Sequence, residues 1–330
     1  MTERTRDEAA AQPPSAIPSA GILGQAGPGR ARPAKGQGPA HALPKGGAMR
    51  QRTRWVHLRA FAENRLAVAG VIFIILMILF CFVGPLFWHT NQVTVSLFNN
   101  RPPSAKHPLG TDDLGYDVLG RLMAGGQASL EVGFAVAVIA TGLGVIYGVI
   151  SGYAGGITDA VMMRIVDIVL AIPVIYLFID LAATFRPTLL LLILVLSLLS
   201  WLGPARLVRG ETLSLRVREY VQAVRAMGGG SGRIILRHLV PNTMGTIVVN
   251  ATFQVADAIL TLAVLSYLGF SLPPPAATWG GMLENGVNFL YDGYWWEIYP
   301  AGALIVFTVV AFNFIGDGLR DAIDVRLQRR

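Results

Sequence analysis

Charge is scarce in this chain: only 14% of its 330 residues are Asp, Glu, Lys or Arg, while 53% are hydrophobic. That balance is too apolar for a soluble globular protein of this length, and a membrane is its natural solvent. Lysine is nearly missing. Lys35, Lys45 and Lys106 are followed by Gly36, Gly46 and His107, whereas a phosphate-cradling loop needs Lys followed by Ser or Thr. No nucleotide site of that type can be built, so any ATP must be hydrolysed by another polypeptide. Cysteine is reduced to Cys81, which excludes an internal disulfide and a cysteine-based metal cluster. Before Leu66 there is no short apolar core with a small-residue cleavage site, so the start does not resemble a signal peptide.

Residues 1 to about 50 hold seven of the nineteen prolines and eight glycines. They have too little apolar surface to fold, and residues 1–49 read as a disordered cytoplasmic tail. Met49 is an alternative start that would leave 1–48 untranslated. A basic segment, 50–65, follows, with Arg50, Arg52 and Arg54 at its head.

A hydrocarbon core about 30 Å thick takes about 20 apolar helical residues to cross. Six stretches fit: Leu66–Trp88, Val132–Ile150, Ala160–Ala183, Thr188–Ala205, Thr243–Phe270 and Ile298–Ile315. The expected fold is an all-α integral membrane protein of six transmembrane helices, with a permease domain over 66–316 and a C-terminal tail over 317–330. The third stretch is unusual in carrying Arg164, Asp167, Pro173 and Asp180. Arg164 and Asp167 are three apart on one helix face, and an intramembrane ion pair between them is the simplest account.

Positive charge sets the orientation, because Lys and Arg of short loops stay cytoplasmic. With the N-terminus inside, 22 of the 27 Lys and Arg fall on the cytoplasmic side and four outside, with Arg164 within the third stretch. The net charge of +7 thus flanks membrane spans, which removes a nucleic-acid partner and leaves membrane lipid. Both termini are expected in the cytoplasm of a multi-pass protein of the cell membrane.

Between the first two spans runs HPLGTDDLGYDVLGRLMAGGQASL, His107–Leu130. Thr111 or Asp112 is placed to cap a short amphipathic helix carrying Leu114, Val118, Leu119, Leu122 and Met123. Asp112, Asp113 and Asp117 lack the alternating ligands and terminal Glu of a calcium hand, so they read as caps and solvated acids. In the second span Gly144, Gly148 and Gly152 lie four apart on one face, where another helix can approach closely.

The loop 206–242, between the fourth and fifth spans, is the most informative. Leu213, Val217, Tyr220, Val221, Val224 and Met227 fall on one helical face, and the helix stops at Gly228-Gly229-Gly230. A second helix, Ser231–Leu239, starts at a Ser231 cap and ends before Pro241. The residues alone leave two readings: a rigid cytoplasmic protrusion, or a basic amphipathic helix on anionic headgroups.

This loop resembles the EAA loop of ABC-importer permeases through Gln222-Ala223-Val224, Gly228, Ile234-Ile235-Leu236 and Pro241-Asn242. In that family the loop docks into a cleft of a cytoplasmic ATPase. The resemblance makes Glu219, Gln222, Ala223, Val224, Arg225, Gly228 and Pro241 the ATPase-coupling residues. Gln222 stands where the family has Glu, and Val224 where it has Ala, with Glu219 as a neighbouring substitute. His107 to Gly115, Ser151-Gly-Tyr-Ala-Gly-Gly, Met163 to Asp167, Ser266 to Phe270, Pro273-Pro274 with Trp279-Gly280, and Gly316 to Asp321 narrow the likeness. They are similar to the dipeptide/oligopeptide/nickel subfamily and to its C-type permease.

That likeness implies half of a translocation pathway, with a homologous second permease, two cytoplasmic ATPases and an extracytoplasmic substrate-binding protein as partners. It implies no catalytic group, cofactor or metal. Peptides are the expected cargo; nickel or another small solute is the alternative within the family. Asp257 lies mid-span with no basic partner three or four residues away. It is open to two readings, a hydrogen bond to a neighbouring helix or a place on the translocation pathway. In an ion-coupled secondary carrier Asp257 would be the ion site, but such carriers show internal repeats of several helices and none is visible here.

Overall fold

The computed structural model describes residues 61–90, 92 and 94–328. The tail expected over 1–49 and most of the basic segment 50–65 lie outside the described residues. Among the described residues all regular structure is helical, apart from an isolated bridge between Thr111 and Asp117.

α1 (Arg65–Phe87) is capped by Asn64, whose Oδ1 accepts the amide of Ala67 at 3.1 Å. A π turn at Leu79–Val83 precedes Pro85. Pro85 lacks the N–H that would reach the carbonyl four residues back. That carbonyl, on Cys81, instead accepts from Gln127 Nε2 at 2.7 Å, so the proline is accommodated by a neighbouring helix.

The helix expected near Thr111 begins six residues later. The carboxylate of Asp112 accepts the amides of Leu114 and Tyr116, closing a turn, and Gly115 takes φ +75°. The cap of α2 (Val118–Ala154) is Asp117, with Oδ1 2.8 Å from the Gly120 amide. Burial raises the Asp112 carboxyl to about 6, opposed by those two amides and by Arg121. His107 Nδ1 lies 2.8 Å from Asp117 Oδ2, and Arg121, itself buried, donates to Pro275 O at 2.8 Å. The segment between the first two long helices is thus a folded cap tied to the later chain.

The third expected span is not one helix. It forms α3 (Gly156–Leu170) and α4 (Val174–Thr184), parted at Ala171–Pro173. Pro173 cannot bond Val169 O, which accepts from Ile172 at 3.2 Å in a tighter turn. Among the described residues five uninterrupted helices are long and apolar enough to cross a membrane: α1, α2, α5 (Leu189–Arg216), α7 (Ser231–Tyr267) and α9 (Trp295–Gln328, apolar over Trp295–Ile323). Shorter helices include α3 and α4, the eight-residue α6 (Glu219–Ala226) and α8 (Trp279–Val287).

α2 is the central element. At about 1.5 Å per residue its 37 residues span about 55 Å. One cluster joins it to α1, α7, α8 and α9 through Met77, Leu122, Ile259, Trp279 and Phe312. A second joins it to α5 and α7 through Val136, Leu196 and Leu262. Trp279 is fully buried and donates Nε1 to Leu122 O at 2.9 Å. By contrast Ile72, Leu76, Leu79 and Leu86 of α1 and Ile157, Val161, Ile165 and Ile168 of α3 are exposed, as helices facing lipid or a partner must be.

α2 and α5 approach each other closely along a glycine face. A Cβ on Gly144 would stand 2.5 Å from Pro204 Cβ, one on Gly148 would run into Ala205 O, and one on Gly152 would meet Thr212 Cβ at 2.8 Å. The glycine face read from the sequence is therefore the seat of α5. We expect Gly148→Val to push the two helices apart and destabilise the fold by about 1–3 kcal/mol. The check is a lower melting temperature in detergent than that of Gly142→Ala, a site with open space.

Candidate functional site

Two arrangements stand out: an elbow between α5 and α7, and a polar groove along α7.

The elbow begins where α5 ends at Arg216. Arg218 is extended (φ −69°, ψ 146°), which restarts the helix as α6 in a new phase. This breaks the single amphipathic face expected from Leu213 to Met227. Val221 is fully buried and Val224 partly so, while Val217, Tyr220 and Met227 are exposed, Met227 to 79%. Val221 packs with Val149, Val208, Ile234, Leu239 and Ile247, so one side of α6 is anchored to α2, α5 and α7. The other side presents Arg218, Glu219, Tyr220, Gln222, Ala223 and Arg225 to solvent. Gln222 Nε2 donates to Val217 O at 3.1 Å and so bridges the joint.

The glycine corner closes α6. Gly229 N donates to Val224 O at 2.9 Å and Gly228 N to Arg225 O at 3.0 Å, a Schellman pattern. Gly228 sits at φ +80°, which a β-branched residue strongly resists, and a Cβ on Gly229 would stand 2.6 Å from Val224 Cγ1. Past the corner the structure departs from expectation twice. Gly230, not Ser231, occupies the cap position of the next helix. Pro241 does not end a helix either, because α7 runs on through a π turn at Ile235–Leu239. There Val240 N reaches back five residues to Ile235 O, and Asn242 Nδ2 bonds His238 O at 2.5 Å. The shifted bonding accommodates the missing N–H of Pro241.

Arg164 and Asp167 do not pair with each other. Asp167 is in an ion pair with Arg206 of α5, and Arg164 has no carboxylate within ion-pair distance among the described residues. A partner on a packed helix displaces the intrahelical one. The stronger clamp lies two turns away on α3, where Arg209 holds Asp159 through two bonds of 2.6 Å and Ser151 donates to the same carboxylate at 2.5 Å. Sequence reasoning missed this clamp. The available signal was spacing: Asp159 and Asp167 are eight apart on α3, Arg206 and Arg209 three apart on α5.

The groove beside α7 holds Asp257 with Phe253, Gln254, Leu260, Val309 and Asn313, about 380 Å³ in volume. Asp257 is exposed and, among the described residues, has no hydrogen-bond or ion-pair partner. Phe253 also borders a second hollow of about 360 Å³ with Thr246, Asn250 and Arg320. Thr246 Oγ1 donates to Glu211 at 2.5 Å, tying α7 to α5. The polar residues thus follow one track from Asp257 toward the elbow.

Residues 144–329 match the family model described as binding-protein-dependent transport system inner membrane component, and 53–103 match the N-terminal transmembrane domain of oligopeptide transport permease C. The chain is 42% identical over 270 residues to the oligopeptide transport system permease protein OppC of Bacillus subtilis, covering 82% of this chain and 88% of the relative. It is 40% identical over 272 residues to the dipeptide transport system permease protein DppC of the same organism, covering 82% and 85%. Against the oligopeptide permease OppC of Escherichia coli it is 40% identical over 269 residues, covering 81% and 89%.

The clamp makes a separate prediction. Asp159→Asn keeps the shape but removes the charge that Arg209 bonds, so melting in detergent should show a loss of about 1–3 kcal/mol. Asp180→Asn, at an exposed carboxylate outside the clamp, should be neutral.

Proposed function

The chain belongs to the family of binding-protein-dependent transport system inner membrane components, and on that footing we propose that it is one permease subunit of an ATP-driven importer of di- or oligopeptides. As a multi-pass inner-membrane protein it would supply half of the pathway, a homologous second permease the other half. ATP would be hydrolysed by two cytoplasmic ATPase subunits, and an extracytoplasmic binding protein would deliver the peptide.

One observation carries the coupling role: α6 is anchored on one side by Val221 and Val224 and free on the other, where Tyr220, Ala223 and Met227 lie at helical spacing. A helix so mounted can take up a push at its exposed face and pass it to α2, α5 and α7 at once. Glu219, Gln222 and Arg225 edge that face; Gly228 holds the corner rigid, and Pro241 lies where α7 leaves it. The charge asymmetry, 22 basic residues against four, supports a cytoplasmic elbow with both termini on the same side. With five uninterrupted helices this requires the broken pair α3–α4 to make one crossing, which is tolerated where neighbouring protein covers the break.

The groove around Asp257 is the pathway wall in this reading. Its exposed carboxylate has no basic residue within ion-pair distance among the described residues, and an ionisable side chain in a membrane helix belongs on a hydrated path or against a partner. Gln254 and Asn313 beside it offer the amide chemistry that suits a peptide backbone.

Gly228→Val tests the coupling. Forcing a β-branched residue to φ +80° deforms the corner, so peptide uptake in cells should fall below a tenth of wild type, while membrane insertion measured by fractionation is unchanged. Normal uptake would refute the role given to the elbow.

A further inference from the structure

Where α2 ends, a recess of about 620 Å³ opens between Tyr153 and the turn joining α5 to α6, lined by Arg216, Gln222, Arg225 and Ala226. Its two guanidinium groups are held in place from behind. Arg216 Nη1 donates to Gly152 O at 3.0 Å, lying across Gly155, where φ is +64° and any Cβ would occupy the position of the guanidinium. Arg225 packs over the Tyr153 ring with 5.3 Å to its centroid, and the Tyr153 hydroxyl donates to Ser231 Oγ at 3.3 Å. The amide nitrogen of Gln222 points back to Val217 O.

Charge is unbalanced here and balanced next door. Arg206 and Arg209, farther up α5, are each matched by a carboxylate of α3. Neither Arg216 nor Arg225 has a carboxylate within ion-pair distance among the described residues. Two positioned guanidinium forks converging on one recess present N–H donors suited to a phosphate, which accepts them in bidentate fashion.

Depth decides which phosphate. The uncharged apolar stretch of α2 ends at Ile150, and Tyr153 follows three residues later, about 5 Å along the axis. This is headgroup level, where Tyr is favoured. Basic pockets at that level on the cytoplasmic side take anionic headgroups.

We propose that this recess binds the phosphate of an anionic inner-leaflet phospholipid, which then links the end of α2 to α6. The lipid would hold the elbow at its working height, so the proposal rests on the cytoplasmic placement of the elbow given above. An acidic segment of a cytosolic partner could balance the same charge, but a recess one helical turn from the apolar stretch favours the lipid.

The test is native mass spectrometry of the full-length protein, released from nanodiscs of phosphatidylcholine with or without phosphatidylglycerol. The wild type should retain phosphatidylglycerol over phosphatidylcholine. Arg225→Gln should lower that retention about fivefold, and Arg216→Gln with Arg225→Gln about thirtyfold. Arg218→Gln, outside the recess, should leave it unchanged, and millimolar inorganic phosphate should not displace the lipid. Because Arg225 is exposed, its single variant carries the test should the double variant fold poorly. Equal retention of both lipids, wild-type retention in Arg225→Gln, or displacement by inorganic phosphate would overturn the proposal. So would unchanged lipid retention with loss of co-purifying ATPase subunits, which would assign the recess to a protein partner. Labelling from each side of the membrane reads the placement of the elbow independently, so failure of that reading is told apart from failure of this one.

Discussion

The structure depends on the contact between α2 and α5. Gly144, Gly148 and Gly152 remove three side chains from one face of α2, and the backbone of α5 occupies the space. In lipid there is no hydrophobic drive to bring two apolar helices together, so close van der Waals contact and polar ties must do it. The ties are at the same end: Arg209 on Asp159 and Arg206 on Asp167 fasten α3 to α5, and Thr246 on Glu211 fastens α7 to α5. α5 is therefore registered against three helices before it reaches Arg216, where the elbow begins.

That registration is what would let an eight-residue helix fill the mechanical role proposed for it. Isolated helices of that length are marginal in water. α6 persists because Val221 and Val224 sink into a cluster supplied by α2, α5 and α7, and because Gly228 and Gly229 satisfy its last carbonyls. Force applied to Tyr220, Ala223 or Met227 would be delivered to a body already clamped by the part-buried Arg209–Asp159 pair and the exposed Arg206–Asp167 pair. The groove at Asp257 lies on α7, the helix into which the corner leads, so elbow and groove share one continuous element.

Much of this was legible in the sequence where the signal is local. Long uncharged runs mark α1, α2 and α5, and three successive glycines mark the corner. The glycine face of α2 follows from spacing alone. What escaped depends on partners distant in sequence. Arg164 and Asp167 satisfy an i, i+3 rule, yet Asp167 finds Arg206 because a packed neighbour lies closer than a helical one. The phase break at Arg218 has no Gly or Pro to announce it. Pro241 was misleading in the opposite sense, since a π turn carries the helix past it, as another does before Pro85 within the first expected span. Pro173 does interrupt its helix, where Val169 and Ile172 close a tight turn instead. A proline's effect is set by whether neighbouring groups can take up the carbonyl it leaves, and one sequence does not show them.

On the proposed reading the exposed face of α6 meets a nucleotide-hydrolysing partner in the cytosol. Cysteine-specific labelling of Ala223→Cys with a membrane-impermeant maleimide tests it most directly, since native Cys81 is buried. The account predicts no reaction in intact cells, reaction in inverted vesicles stripped of peripheral subunits, and protection when the co-expressed ATPase subunits are restored. Reaction from the outside of intact cells, or labelling in inverted vesicles that the ATPase subunits leave unchanged, would contradict it.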